Sequence, residues 1–192
     1  MVNIKVIQTM KAFESITKKL SELTRKRVLV GVPAERSTRP EVGERINNAE
    51  LLYIQSHGVR KKSMRDEMQQ HIDAGMKYSA AHSLYIQSHG SPLWQIPPRP
   101  VLEPAIEDSK EPIAKQLKQS YKAALDGNNQ AVDNSLHKAG MVAENAAKAW
   151  FENPANKWPP NSPKTIAKKG SDSPLIDTGE MRKAITHVIR EE

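Results

Sequence analysis

The chain contains no cysteine, which excludes disulfide staples and thiolate metal ligands. Aromatic residues make up only 5% of it. Large apolar side chains are therefore scarce, and some segments are expected to finish packing against a partner rather than in their own core. No stretch approaches the ~20 apolar residues of a membrane span. The N-terminal MVNIKVIQTMKAFE also lacks the apolar run of a secretory signal. The expected place of work is the cytoplasm, or an object assembled there, without membrane contact. Glycines such as Gly31, Gly43, Gly58 and Gly75 are isolated, so there is no glycine-rich phosphate loop.

What is present starts with length and charge. The 192 residues suffice for one sizeable core, or a core plus an arm. The formal net charge is +7. Basic runs at 25–27, at Arg60, Lys61 and Lys62, and at 168–169 can neutralise phosphates, so a DNA-facing role is open. The plainer reading is a solvated face beside an acidic protein partner, because no aromatic residue interleaves these runs.

One heptapeptide, LYIQSHG, occurs at 52–58 and again at 84–90. A repeat fold, a site built from two copies, or a local duplication would each account for it. Two copies cannot stack a repeat core.

Periodicity sets the expected elements. Met10, Phe13, Ile16, Leu20 and Leu23 recur every three or four residues and predict a helix over 8–24. The β-branched run at 28–32, closed by Pro33, predicts a strand. Residues 34–46 read as an exposed loop. Asn47 and Asn48 predict the cap of a helix that Gly58 stops, with a strand as the alternative because Tyr and Ile favour strands. Met64, Met68, Ile72 and Met76, spaced by four, form a helical stripe of the kind that suits adaptable contact surfaces.

Five prolines between 91 and 104 predict an extended arm, with Trp94 and Ile96 as its anchors. The arm is expected either on a neighbouring subunit, with Arg99 hydrogen-bonded there, or folded back on its own helices. Helices are predicted over 109–125, with Ile113, Leu117, Tyr121 and Ala124 inward, and over 129–151. The second has an Ala-rich inner line of Val132, Leu136, Ala139, Ala143, Ala147 and Trp150, which suits a close helical hairpin. Ser162-Pro163 predicts a helix start. Asp177 and Glu180 match a capping box opening one helical turn. Residues 184–189 alternate as a strand able to pair with 28–32, which would join the two ends of the chain. The expected fold is α+β: a small antiparallel sheet from the N- and C-terminal strands on a helical hairpin, with a Pro-rich arm.

The search for reactive groups leads to no enzyme and no cofactor. Leu175-Ile176-Asp177-Thr178-Gly179 has the form of an aspartic-protease signature, but that chemistry needs two aspartates sharing a proton and a longer downstream half-site. The six histidines, among them the duplicated His57 and His89, form no HxxxH or HExxH pair, so no metal site is expected.

Four blocks in this order, VLVGVP, NNAELLYIQSHG, IPPRPVLEPAI and NPANKWPPNSPKTIAKKGSDSPLIDTGEMRKAITHVI, resemble the tail-completion proteins of tailed bacteriophages, also filed as head–tail joining or virion morphogenesis proteins. The resemblance covers about 27–58, 90–127 and 140–190. It implies a structural protein of the virion neck, a homo-oligomeric ring, sixfold by resemblance alone, between the tail tube protein and the head-side connector proteins, with packaged DNA nearby. In the family the short helix runs through Gly-Ser-Pro straight into the arm. Here that continuation follows only the second heptapeptide, which implies a duplicated insertion at about 59–90 in a single domain spanning 1–192. The alternative function is a basic nucleic-acid-binding accessory protein.

Overall fold

The computed structural model describes residues 4–39, 46–89 and 94–191. Of the expected features, the stretches 40–45 and 90–93 and the side chain of Met10 lie outside the described residues. Helix α1 (Ile4–Thr24) leads into strand β1 (Lys26–Gly31). Helix α2 (Asn48–His57) is followed by a short strand β2 (Val59–Arg60), then α3 (Lys62–Asp73) and α4 (Tyr78–His89). Strand β3 (Trp94–Ile96) precedes α5 (Leu102–Asp108), α6 (Lys110–Leu125) and α7 (Asn129–Trp150). The chain closes through α8 (Pro163–Lys169), α9 (Glu180–Ala184) and β4 (Thr186–Glu191).

The fold is α+β, and its two ends meet. β1 and β4 pair antiparallel with Val28 opposite Ile189 and Val30 opposite His187. Alternation along a strand sends successive side chains to opposite faces. Val28, Val30 and Ile189 therefore pack inward, while Leu29 stays largely exposed on the outer face. The strands lie about two residues from the expected 28–32 and 184–189. Ile185 falls outside the ribbon because it is needed as a fully buried core residue.

Helix α7 is the spine. All six residues of its expected inner line are buried, from Val132 to Trp150. Their small size lets α6 and the ribbon approach closely. On α6 the buried line runs through Ser120 and Ala124, and Tyr121 points outward instead of inward. The Ser120 hydroxyl donates to Leu117 O at 2.7 Å, which satisfies its polar group inside the helix pair.

Three apolar clusters result. The main core joins Leu52, Val101, Ala105, Ala147, Trp150, Phe151, Met181 and Ile185. A second, around Leu23, Ala124, Val132 and Leu136, seats the end of α1. A third belongs to the 59–90 stretch itself. There Met64 and Met68 of α3 pack on Ala81 and Tyr85 of α4. The methionine stripe is therefore not a contact surface, because the second heptapeptide folds back as α4 and covers it.

The extended arm is shorter than expected. It ends at Pro100, and α5 begins at Leu102 with Pro104 in its first turn. A proline there removes only an N–H that has no intrahelical acceptor, so it does not oppose the helix.

Candidate functional site

The arm lies in a seat made by segments far apart in sequence. Asn47 Oδ1 accepts from Glu50 N at 2.9 Å, and Glu50 Oε2 accepts from Asn47 N at 3.0 Å. This capping box starts α2, and Gly58 ends it at φ 73°. A Cβ at position 58 would stand 2.7 Å from Ile96 O and 2.8 Å from Pro98 N. Only glycine lets the arm cross the end of α2 at this point.

Arg99 then locks the arm in place. Its backbone N–H donates to Gln55 O at 2.8 Å. The side chain is buried, and its Nε and Nη2 donate to Pro159 O at 3.0 and 2.8 Å. Nη2 also donates to Pro160 O at 3.0 Å. Trp158 Nε1 adds a bond to Pro100 O at 3.1 Å. The Pro-rich loop lacks the N–H groups to pair as a strand, so a planar five-donor guanidinium suits its carbonyls. Burial lowers the Arg99 pKa from its ordinary value. These partners of Arg99 lie in its own chain, as in the folded-back alternative for the arm.

Trp94 and Ile96 are half-buried on that same chain, as β3 paired with β2. The arm has folded back, which was the alternative to seating on a neighbour. Trp94 meets Arg60, whose Cζ lies 5.6 Å from the indole centroid and 5.7 Å from that of Tyr78. Tyr78 Oη accepts from Arg60 Nη1. Arg60 is therefore engaged by two rings rather than freely presented to DNA, whereas Lys61 and Lys62 are exposed. Spacing along the chain gave no signal for this cluster, since Tyr78 and Trp94 are distant from Arg60 in sequence. The absence of aromatics among the basic residues holds for the sequence and fails in the fold.

The capping reading of Asp177 is also corrected. The N-cap of α9 is Gly179, at φ 79°, and it makes no side-chain cap bond. Thr178 Oγ1 accepts a long bond from Glu180 N at 3.4 Å, and Glu180 pairs with Lys183 at 3.1 Å. Asp177 is exposed. The left-handed glycine delays the helix, so Glu180 becomes its first residue instead of its third.

A polar node that the sequence reading did not anticipate ties α7 to β4. Glu144 Oε2 accepts from Thr186 Oγ1 at 3.0 Å, His187 N at 3.2 Å and His187 Nδ1 at 2.8 Å. Its Oε1 accepts from Lys148 Nζ at 2.6 Å. His187 Nε2 lies 3.4 Å from His137 Nδ1. Burial alone would raise the Glu144 carboxyl, but hydrogen bonds from Lys148, His187 and Thr186 outweigh it and hold the group at about 2. Among the described residues no group of three or more His, Cys, Asp or Glu is placed to hold a metal ion. No described helix is long and apolar enough to cross a membrane.

Comparison with protein-family models, with curated proteins and with solved structures finds no match to this chain.

Proposed function

We propose that this protein is a structural subunit of a bacteriophage neck, forming a ring that completes the tail and joins it to the DNA-filled head. One observation supports the reading above the others. The four sequence blocks that carry the resemblance are scattered over 162 positions' worth of chain between Val28 and Ile189, yet they converge on one core. Val30 and Val32, Leu52, Val101 and Ala105, and Trp158, Leu175, Met181 and Ile185 all contribute to it. The blocks are thus parts of one architectural unit, as expected if the motif order marks a common fold.

Surface character is consistent with assembly. Phe13, Ile16, Leu29, Tyr53, Tyr121 and Met141 are exposed in the single chain. Exposed apolar groups of this size suit heterologous ring contacts. Finer assignments follow the resemblance: a hexameric ring, with the tail tube protein on one side and head-side connector proteins on the other, within the virion.

The test is electron microscopy of particles made without this protein. Separate DNA-filled heads and finished tails are the expected result. Intact infectious particles, or tails of uncontrolled length still attached to heads, would count against the joining role.

A further inference from the structure

The Arg60 cluster forms one wall of a cleft of about 610 Å³, which is in the size range of small-ligand sites. His57, Arg60, Arg65, Met68, Tyr78 and Trp94 line it, and no described carboxylate does. Two arginines thus face a cleft with apolar and aromatic walls. Lys61 and Lys62 continue the positive surface and are exposed. The cluster sits at the start of α3, whose first turn has no acidic residue and whose N-cap, Lys61, makes no side-chain cap bond. The positive pole of the helix and four basic side chains therefore share one end, and the nearest acidic residues on α3, Asp66 and Glu67, come only in its second turn. Arg60 Nε is buried and has no acceptor. Tyr78 is 56% exposed, with Arg60 over its ring and His82 stacked beside it at 6.2 Å between centroids.

We propose that this cleft binds single-stranded nucleic acid, with a base stacked on the Tyr78–Trp94 wall and the adjoining phosphates over Arg65, Lys61 and Lys62. A cationic groove with aromatic platforms is the arrangement that holds unpaired strands with little sequence preference. The volume is far larger than an inorganic phosphate needs. An acidic peptide would satisfy the cations but leave the rings unused. A duplex keeps its bases stacked inside and cannot reach the rings. The inference stands apart from ring formation, and the two are measured separately.

The test is fluorescence anisotropy with a labelled oligo-dT of about ten nucleotides. Binding is expected, falling steeply as salt rises. Tyr78→Ala and Trp94→Ala are each expected to weaken it about tenfold. Tyr78→Phe keeps the ring and is expected to bind like the unmodified protein. Arg65→Glu, at an exposed position, should abolish binding while the far-UV circular dichroism is unchanged. A duplex, poly-glutamate and inorganic phosphate serve as competitors and are expected to compete weakly. Absence of oligonucleotide binding overturns the proposal. So does binding that is indifferent to Tyr78→Ala, or that poly-glutamate or duplex displaces as well as the single strand does. If Trp94→Ala loosens β2–β3, the Tyr78→Ala and Tyr78→Phe pair still decides.

Discussion

Gly140 of α7 lies directly beneath the imidazole of His187 on β4. A Cβ built at position 140 would stand 2.3 Å from His187 Cδ2 and 2.6 Å from its Cγ. Glycine in mid-helix is unfavourable by about 1 kcal/mol relative to alanine. Here it makes room for the ring that reaches Glu144, and so lets the C-terminal strand close against the spine.

Gly140→Ala is therefore expected to destabilise the protein by about 1–3 kcal/mol, against its helix propensity. In a His187→Ala background the two ring contacts are gone and only the Cβ contact at 3.0 Å remains, so the same change should cost clearly less than in the parent. Chemical denaturation of the four proteins in this cycle gives the sign directly. Equal effects of Gly140→Ala in both backgrounds would refute the steric account.

Glu144 predicts a pH dependence. Its carboxyl is held at about 2, below its ordinary value of 4.5. The native state thus binds fewer protons than the unfolded chain as pH falls through this interval. The stability Glu144 contributes is complete above about pH 5 and is lost progressively toward pH 2. Glu144→Gln should lose on the order of 2 kcal/mol at pH 7 and much less near pH 2. Urea melts of both proteins across this range test it. A difference that does not shrink with acid would show that the charge is not the source.

Arg99→Lys is expected to cost about 1–3 kcal/mol, because one ammonium cannot reproduce the fork that holds Pro159 and Pro160. Limited proteolysis should show faster cleavage in the loop around 153–162. A lysine variant as stable and protease-resistant as the parent would mean that the loop is held by Trp158 and its neighbours alone.

At the last turn, Gly179→Ala should cost about 1–2 kcal/mol, since φ is 79° there and an L side chain is strained in that region. Asp177→Ala should stay within about 0.5 kcal/mol, as for an exposed position without a cap bond. Thermal melts distinguish the two. The reverse order would restore Asp177 as the capping residue.

Tyr85→Ala should loosen α3 and α4 by about 3 kcal/mol, a large buried side chain being removed. Tyr53→Ala should leave the stability of the chain nearly unchanged. Hydrogen exchange read separately over 62–89 and over 129–150 resolves the insertion from the spine. Equal protection of 62–89 in both variants would contradict the packing described.

Much of the fold was legible in the sequence, for local reasons. The α7 line, the Asn47 cap, the Gly58 stop and the Ser162 start each depend on neighbours within one turn, so spacing and capping chemistry suffice. The pairing of the chain ends was legible because 28–32 is a β-branched run and 184–189 alternates. The Arg99 seat, the Arg60 cluster and the Glu144 node were not, since their partners lie far away along the chain and no period links them.

The repeated heptapeptide separates the two kinds of information. In both copies the tyrosine stacks on the histidine four residues later, Tyr53 on His57 at 4.2 Å and Tyr85 on His89 at 4.1 Å. In both, the histidine Nδ1 lies near the tyrosine carbonyl, at 2.9 and 3.2 Å. Helix geometry alone brings those atoms together, and the sequence by itself determined it. Burial is opposite: Leu52 is 5% exposed and Tyr53 65%, whereas Leu84 is 36% exposed and Tyr85 3%. Leu, Tyr and Ile in succession, turned by about 100° per residue, spread apolar surface over a wide arc of the helix. No single face is specified, so the neighbour chooses it: the main core takes Leu52, and the methionines of α3 take Tyr85.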